Sequence, residues 1–240
     1  MRPIHLAALV ILTHTAAGHY IFDTLIYGSK VSTKCIRKPA ENAPVHKFNE
    51  TEITCNIDTS NATQTLSIPA GRKVTFKLGE NKTIYHPGPV SIYMGKAPHK
   101  AIDWDGSGKQ WFKIAEWGAT FNPFKFISMD KSAFNVTIPK QVPSGEYLLR
   151  IEHIALHNPG YPEFFVSCAQ VKITGGGKGK PTKVSIPGYV SEKDPGLMMD
   201  IYWPVPTSYT VPGPPVYKGD NVEKKDRFPT FVDNSQPDRY

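Results

Sequence analysis

The chain has 240 residues, enough for one large domain or two small ones, and a formal net charge of +7. Its basic residues are scattered, and the one obvious cluster, Lys178, Lys180 and Lys183, lies in a glycine-rich stretch without interleaved aromatic residues. This pattern indicates a solvated face rather than a nucleic-acid site. After the first residues no apolar stretch is long enough to span a bilayer. We therefore expect neither a nucleic acid nor a membrane as a partner.

Residues 1–18 have the pattern of a secretory signal peptide. A basic start and a short apolar stretch lead to Ala16 and Gly18, the small residues of a cleavage site. Cleavage after Gly18 would make His19 the N-terminus. A terminal histidine offers two nitrogen ligands, its α-amine and a ring nitrogen, and this set suits Cu(II). Taken alone, the position is equally explained by chance, so the rest of the chain has to decide.

Four glycosylation acceptor patterns support secretion. Each has an asparagine followed two positions later by threonine, and the asparagines are Asn49, Asn61, Asn81 and Asn135. Single matches are common by chance, but four behind a signal peptide fit a secreted eukaryotic glycoprotein. We expect the protein to be extracellular.

The body of the chain, residues 19–217, has few helix-like runs and many short segments rich in β-branched and aromatic residues. The clearest are Gly71 to Leu78, Ala133 to Ile138, Glu146 to Leu156 and Phe164 to Ile173. With 22 prolines and 19 glycines between such segments, the sequence predicts an immunoglobulin-like antiparallel β-sandwich with long loops. Residues 218–240 are predicted to be a polar, disordered tail.

Alternation along the strand near residue 165 assigns its side chains to two faces. Glu163 and Phe165 share one side, whereas Phe164, Val166 and Cys168 share the other. The second face suits a core that contains a disulfide. We therefore expect Glu163 and Phe165 to act on a site rather than on the core.

A second histidine lies in a loop held rigid by prolines and a glycine, and a series of segments accompanies it. His86 alone would more often be structural or merely exposed than a ligand. The segments are, in order, His19, Pro44-Val45, Cys55-Asn56, His86-Pro87-Gly88-Pro89, Tyr93-Met94, Trp111 to Ile114, Gly145 to Arg150, Ile154 to His157, Ser167 to Gln170, Ile186 to Tyr189, Asp194-Pro195-Gly196 and Tyr209 to Pro214. In this order they resemble fungal lytic polysaccharide monooxygenases of auxiliary activity family 9, once classed as glycoside hydrolase family 61.

The resemblance implies a flat face that bears one copper ion, which cycles between Cu(II) and Cu(I). The amine and ring of His19 and the ring of His86 would hold it. His157 corresponds to a histidine that hydrogen-bonds the oxygen co-substrate, whereas His153, four positions earlier, has no role in the family. Tyr209 corresponds to an aromatic residue that stacks on sugar rings, and packing within its own loop is an equally weighted alternative.

The resemblance also implies how the cysteines pair. Three cysteines leave one thiol over if one disulfide forms. The family's long-range disulfide corresponds to Cys55–Cys168. Cys35 would then be unpaired, and we expect it to be buried.

Two residues depart from the family pattern. Glu163 and Phe165 stand where most members have a glutamine and an axial tyrosine. Phenylalanine lacks the phenolic oxygen, a weak axial partner and a redox-active group. Glutamate accepts hydrogen bonds but, when ionised, donates none. We expect copper binding to survive both changes, with His157 and Glu163 as candidate catalytic groups and Phe165 on the axial side.

These observations predict a secreted copper enzyme that oxidises a β-1,4-glucan, cellulose or a related polysaccharide, at C1, at C4 or at both. Its partners would be the polysaccharide, an external electron donor and dioxygen or hydrogen peroxide, and the protein would be a monomer. The main alternative is a secreted copper-binding protein of the same fold without cleavage activity. A third is a glycan-binding sandwich without metal. Glycoside hydrolysis is disfavoured, since no suitably spaced pair of carboxylates stands out.

Overall fold

The structure is a computed structural model that describes residues 19–219. The predicted signal peptide and most of the predicted polar tail lie outside this range. Within it the strands are β1 (Phe22–Tyr27), β2 (Lys30–Ser32), β3 (Ile36–Arg37), β4 (Leu66–Pro69), β5 (Lys73–Leu78), β6 (Val90–Lys96), β7 (Lys109–Trp117), β8 (Ala119–Thr120), β9 (Lys125–Phe126), β10 (Ala133–Thr137), β11 (Gly145–Ala155), β12 (Glu163–Thr174) and β13 (Val184–Ser185). Two 3-10 turns, Thr51–Ile53 and Ala101–Asp103, interrupt the loops.

The strands form two stacked sheets and a short separate ribbon. The smaller sheet has the order β10-β5-β1-β2, and the larger has the order β13-β7-β6-β11-β12-β3. These neighbours are antiparallel, and β4 joins the same edge of β12 in parallel. The predicted antiparallel β-sandwich is confirmed. No helix in residues 19–219 is long and apolar enough to cross a membrane.

The predicted strands agree with the structure to within two residues at either end. β5 begins at Lys73 rather than Gly71, because Gly71 is in a turn with a φ of +81°. β1, β6 and β7 were not predicted as strands from the residue pattern. In β6 every residue from Val90 to Gly95 is buried, so the strand shows no alternation of polar and apolar positions.

Two buried layers enclose the larger sheet. Between the sheets lies a core that includes Phe22, Phe76 and Leu149. A second cluster, which includes Trp104 and Leu197, covers the outer face of the larger sheet with loop residues. β11 and β12 are therefore buried on both faces along most of their length.

Phe165 was expected to act on a site and not to belong to the core. The second part of this expectation was wrong. Phe165 is 2% exposed and belongs to the core between the sheets, whereas Phe164 and Cys168 belong to the outer cluster. The alternation itself is correct. Because both faces of β12 are covered, however, alternation could not tell a site face from a core face.

The disulfide joins Cys55 to Cys168 across 113 positions, as the family resemblance implied. It ties the loop after the first 3-10 turn to the middle of β12. Cys35 is free and fully buried, as expected, and burial raises the pKa of its thiol.

Candidate metal centre

The loop that carries His86 is held against the end of β11 by its backbone. The amide of Leu156 donates to the carbonyl of Pro87 at 2.8 Å, and the amide of Ile154 donates to that of Pro89 at 3.1 Å. A Cβ on Gly88 would overlap the carbonyl oxygen of Ile154. Only glycine therefore permits this approach, which places His86 beside the end of β11.

The β11–β12 connection supplies the other groups of the site. His157 lies two positions after β11 ends, and Glu163 begins β12, where it pairs with Ala155. The possible ligand atoms of His86, His157 and Glu163 all lie within 4.8 Å of one another, and all three residues are half-buried. The two imidazole rings stack with centroids 4.0 Å apart. We call these three residues the metal cluster.

Hydrogen bonds orient this cluster only in part. His157 Nε2 is 3.8 Å from the Glu163 carboxylate. The side-chain nitrogen of Asn158 lies 3.2 Å from that ring nitrogen and donates to the same carboxylate at 3.5 Å. His157 Nδ1 is buried and has no hydrogen-bond partner among residues 19–219. A buried ring nitrogen of this kind calls for a ligand or an ordered water.

His19 lies at the edge of this site, and its backbone anchors it. Its carbonyl oxygen accepts hydrogen bonds from the side chains of Asn42 and Lys82, each at 2.9 Å. Its ring is 5.9 Å from the ring of Phe165, and the His86 ring is 6.0 Å from the same ring. The His19 imidazole is not among the ligand atoms within 4.8 Å of one another. In the uncleaved chain its nitrogen belongs to a peptide bond with Gly18 and cannot serve as an amine ligand.

A buried Tyr–His pair lies beneath the site. The Tyr20 ring stacks on Phe165 at 4.5 Å, and its hydroxyl is hydrogen-bonded to His153 Nδ1 at 2.8 Å. Burial, with a smaller contribution from the charge of His86, lowers the pKa of His153 to about 3. Burial also raises the pKa of Tyr20. Both groups are therefore neutral, and they form an uncharged floor under the metal cluster. Sequence reasoning gave this pair no role, although His153 and His157 fall on one strand face by alternation.

Exposed aromatic residues lie around the cluster, and they were missed from the sequence. Trp203 is 80% exposed and Tyr161 is 78% exposed. The hydroxyl of Tyr202 donates to the backbone carbonyl of His157 at 3.2 Å, which places this segment beside the metal cluster. The available signal was Tyr202-Trp203 directly before Pro204, two adjacent large aromatic residues in a proline-containing loop.

Tyr209, the predicted sugar-stacking residue, lies in loop packing. It is half-buried, its ring meets Phe126 edge-on at 5.0 Å, and its hydroxyl donates to the carbonyl of Gly196 at 2.8 Å. This placement favours the packing alternative. The four predicted glycosylation acceptors are all exposed, as attachment of a glycan requires, and they are Asn49, Asn61, Asn81 and Asn135.

The residues present fit a copper ion. Two imidazoles and a carboxylate converge at His86, His157 and Glu163, with a third imidazole, that of His19, beside Phe165. Imidazole nitrogens suit copper among other borderline metals, and a carboxylate or water completes such a set. The unpartnered Nδ1 of His157 gives the site a polar atom that residues 19–219 leave without a hydrogen bond.

Comparison with known proteins agrees with the sequence pattern. The model of Auxiliary Activity family 9 (formerly GH61) matches residues 15–209. The chain is 44% identical over 222 residues to AA9 family lytic polysaccharide monooxygenase C of Emericella nidulans, with 87% of this chain and 95% of the relative covered. It is 43% identical to the family member named H of Malbranchea cinnamomea, with 89% and 98% covered. The crystal structure of a cellulose-active polysaccharide monooxygenase from M. thermophila superposes with a TM-score of 0.73 at 28% identity, covering 84% of this chain and all of the other.

Proposed function

Since the chain belongs to Auxiliary Activity family 9 and is a copper-dependent lytic polysaccharide monooxygenase, we propose that it cleaves a β-1,4-glucan, cellulose or a related polysaccharide, by oxidation at C1, at C4 or at both. The family implies a polysaccharide substrate, an electron donor and dioxygen or hydrogen peroxide as co-substrate. We further propose that the protein acts as a secreted monomer after cleavage at Gly18.

The observation that carries this proposal is the convergence of His86, His157 and Glu163 beside exposed aromatic residues. A polysaccharide chain presents its sugar faces and hydroxyl groups to such a surface. Aromatic rings provide apolar contact to sugar faces, and His86, one of the residues that would hold copper, lies at the same place. One of the solved structures similar to this chain is that of a cellulose-active polysaccharide monooxygenase, which supports the choice of cellulose as the first substrate to test.

We assign the copper ligands to the α-amine and ring of His19 and to the ring of His86. Bound copper would supply the one-electron chemistry that activates dioxygen or hydrogen peroxide. Amine and imidazole nitrogens bind a metal only after they lose their protons, so copper affinity is expected to fall as the pH drops.

The other residues of the site position the co-substrate and keep water out. His157, held near Asn158 and Glu163, can donate a hydrogen bond to an oxygen atom from one ring nitrogen. Glu163 accepts hydrogen bonds when ionised and can hold or receive a proton. Phe165 closes the inner side of the site with an apolar ring, so no protein oxygen lies at its position.

The test is mass spectrometry of the soluble products. The chain that begins at His19 would be loaded with copper and incubated with swollen cellulose, ascorbate and hydrogen peroxide. We expect aldonic acids, 4-keto sugars or both, and their ratio gives the position of oxidation. The matched control is His86→Ala, which should form none. Oxidised products that persist in this variant would contradict the ligand assignment.

A second function, copper binding without polysaccharide cleavage, is favoured by one specific observation. Phe165 is buried between Tyr20 and the rings of His19 and His86, and its ring places no oxygen atom beside the histidines that would hold copper. Binding of one copper ion without oxidised products from cellulose or from branched glucans would establish this alternative and overturn cleavage.

A further inference from the structure

A cavity of about 780 Å³ opens beside the metal cluster, and no residue of the cluster lines it. Its volume is within the range of small-molecule sites. One wall is formed by residues 160–162 of the β11–β12 connection, a second by residues 46–49, and a third by residues 190–193 together with Met198. The first wall is part of the short segment that joins His157 to Glu163.

Backbone contacts fix the first two walls relative to the metal cluster. The amide of Tyr161 donates to the carbonyl of Asn158, whose side chain contacts the cluster. Val45 and Phe164 exchange two backbone hydrogen bonds of 2.9 Å each, and Phe48 packs on Phe164. Tyr161 is two positions from Glu163, so their Cα atoms are no more than about 7 Å apart. A ligand in the cavity therefore lies next to the metal site.

The lining combines an exposed aromatic ring with groups that donate and accept hydrogen bonds. Tyr161 is 78% exposed, which is unusual for a large aromatic side chain unless it binds a partner. Asn49 and Ser191 each offer a donor and an acceptor. The charges are mixed, because Lys193 lies near Glu192, and Lys47 is already paired with a glutamate at 2.7 Å. Such a lining suits a neutral, hydroxyl-rich ring more than an anion.

We propose that this cavity is a pyranose-binding pocket that takes a sugar branching from the polysaccharide main chain held over the metal cluster. The proposal rests on the proposed function, since it assigns the enzyme a branched β-glucan as its preferred substrate class. The ring of Tyr161 stacks on one face of the branch sugar, and the polar groups of the opposite walls bind its hydroxyl groups.

A pyranose could reach the cavity from a second source. Asn49 lines the cavity and is a predicted glycosylation acceptor, so a glycan attached there would place its first sugar at the rim. The chemistry recognised is the same in both cases. The variant Asn49→Gln removes the attached glycan and leaves the cavity open to an external branch.

The experiment is a calorimetric binding comparison with the copper-loaded chain that begins at His19, carries Asn49→Gln and receives no reductant. The probes are two oligosaccharides with the same β-1,4-glucan main chain, one with single-sugar branches and one without. We expect the branched probe to bind about tenfold more tightly, equivalent to about 1.4 kcal/mol. Adding Tyr161→Ala should reduce its affinity to that of the unbranched probe. The matched control is Phe121→Ala, an aromatic truncation at a partly exposed site that does not line the cavity, and it should keep the preference.

Equal affinity for the two probes, or a preference that survives Tyr161→Ala, would overturn the proposal. The chain with a glycan on Asn49 identifies the source of the sugar. If the glycosylated chain prefers the branched probe less strongly than the Asn49→Gln variant does, the attached glycan fills the pocket. If the two proteins show the same preference, the pocket serves the external branch alone. Either result supports recognition of a pyranose.

Adding reductant afterwards separates the two proposals. A branch preference without oxidised products would contradict the proposed function and leave the pocket assignment standing. Oxidised products without a branch preference would contradict the pocket assignment and leave the proposed function standing.

Discussion

The hairpin formed by β11 and β12 carries two polar clusters on opposite faces, and they differ in access to solvent. Glu152 and His153 are neighbours that point to opposite sides of β11. On one side Arg150, Glu152 and Tyr189 form a closed cluster in which the first two are fully buried. On the other side the half-buried metal cluster meets the surface.

The difference lies in the pairing of charges. Burial is the largest single influence and lowers the pKa of Arg150, but the charge of Glu152, its hydrogen bond to Arg150 and the nearby Tyr189 together raise that pKa above its ordinary value. Arg150 also donates to the backbone carbonyls of Ile53 and Thr54. Arg150 Nη1 and Glu152 Oε1 have no hydrogen-bond partner among residues 19–219, and the same holds for His157 Nδ1. The closed cluster thus secures a loop to the sheet, whereas the metal cluster holds half-buried polar groups that a ligand can reach.

The largest effect should come from breaking the closed cluster. Glu152→Ala would leave Arg150 as an uncompensated buried charge, and we expect the free energy of unfolding to fall by about 3–5 kcal/mol. Glu163→Ala is the matched control on the same hairpin, and it should change stability by no more than about 0.5 kcal/mol. Urea unfolding of the copper-free proteins measures both. Similar losses for the two variants would remove the distinction between the clusters.

The disulfide makes the next largest contribution to the free energy of unfolding, and it lies next to the closed cluster. Cys168 lies beside Thr54, whose carbonyl Arg150 also binds. Replacing Cys55 and Cys168 with serine should lower the free energy of unfolding by about 2–5 kcal/mol, because the bridge closes a loop of 113 positions. Cys35→Ala should cost about 1 kcal/mol, since it removes only one small buried group. Equal losses in the two cases would show that the bridge contributes nothing beyond its packing.

At the metal site, one extra residue before His19 should weaken copper binding by at least about 100-fold, a factor that corresponds to about 2.7 kcal/mol. The extension converts the α-amine into an amide nitrogen, which is a poor ligand at neutral pH. Calorimetric titration with Cu(II) measures the change, and thermal unfolding of the metal-free proteins should be the same with and without the extension. Undiminished affinity would refute the assignment of the amine as a ligand.

Strands were predictable from the sequence where polar and apolar residues alternate, as in β5 and β10, or where a long run is rich in β-branched and aromatic residues, as in β11 and β12, which are buried on both faces. β5 and β10 alternate buried and less buried residues, and both were predicted. β6 is buried on both faces, so its residue pattern carries no period to detect. The disulfide was implied by the family resemblance, since the number of cysteines fixed only that one thiol is left over.

The metal cluster was predictable in its members and not in its surroundings. His86, His157 and Glu163 were identified through family segments, and the structure brings them together. The aromatic surface around Tyr202 depends on a loop of residues 198–208 folding back over the β11–β12 connection, a long-range contact that no local pattern encodes. The same holds for the Tyr20–His153 pair, whose members are 133 positions apart.

The smallest predicted effect concerns the Tyr20–His153 pair, which lies beneath the metal cluster. The pKa of His153 is lowered from 6.5 to about 3, chiefly by burial. Between these values the unfolded chain binds a proton that the folded chain excludes, so stability falls as the pH drops below about 6.5 and is fully present above it. The slope from this one group is at most about 1.4 kcal/mol per pH unit.

We therefore expect His153→Gln to flatten the decline in stability between about pH 6.5 and pH 4, relative to the unmodified protein. Urea unfolding of the copper-free proteins at several pH values measures this difference directly. His46→Gln, at an exposed loop position, should leave the decline unchanged. A parallel decline in the unmodified protein and in His153→Gln would show that His153 takes up its proton in the folded state. In that case the floor beneath the metal cluster would be charged in acid, and the contrast between an uncharged layer there and the ion pair on the opposite face would hold only near neutral pH.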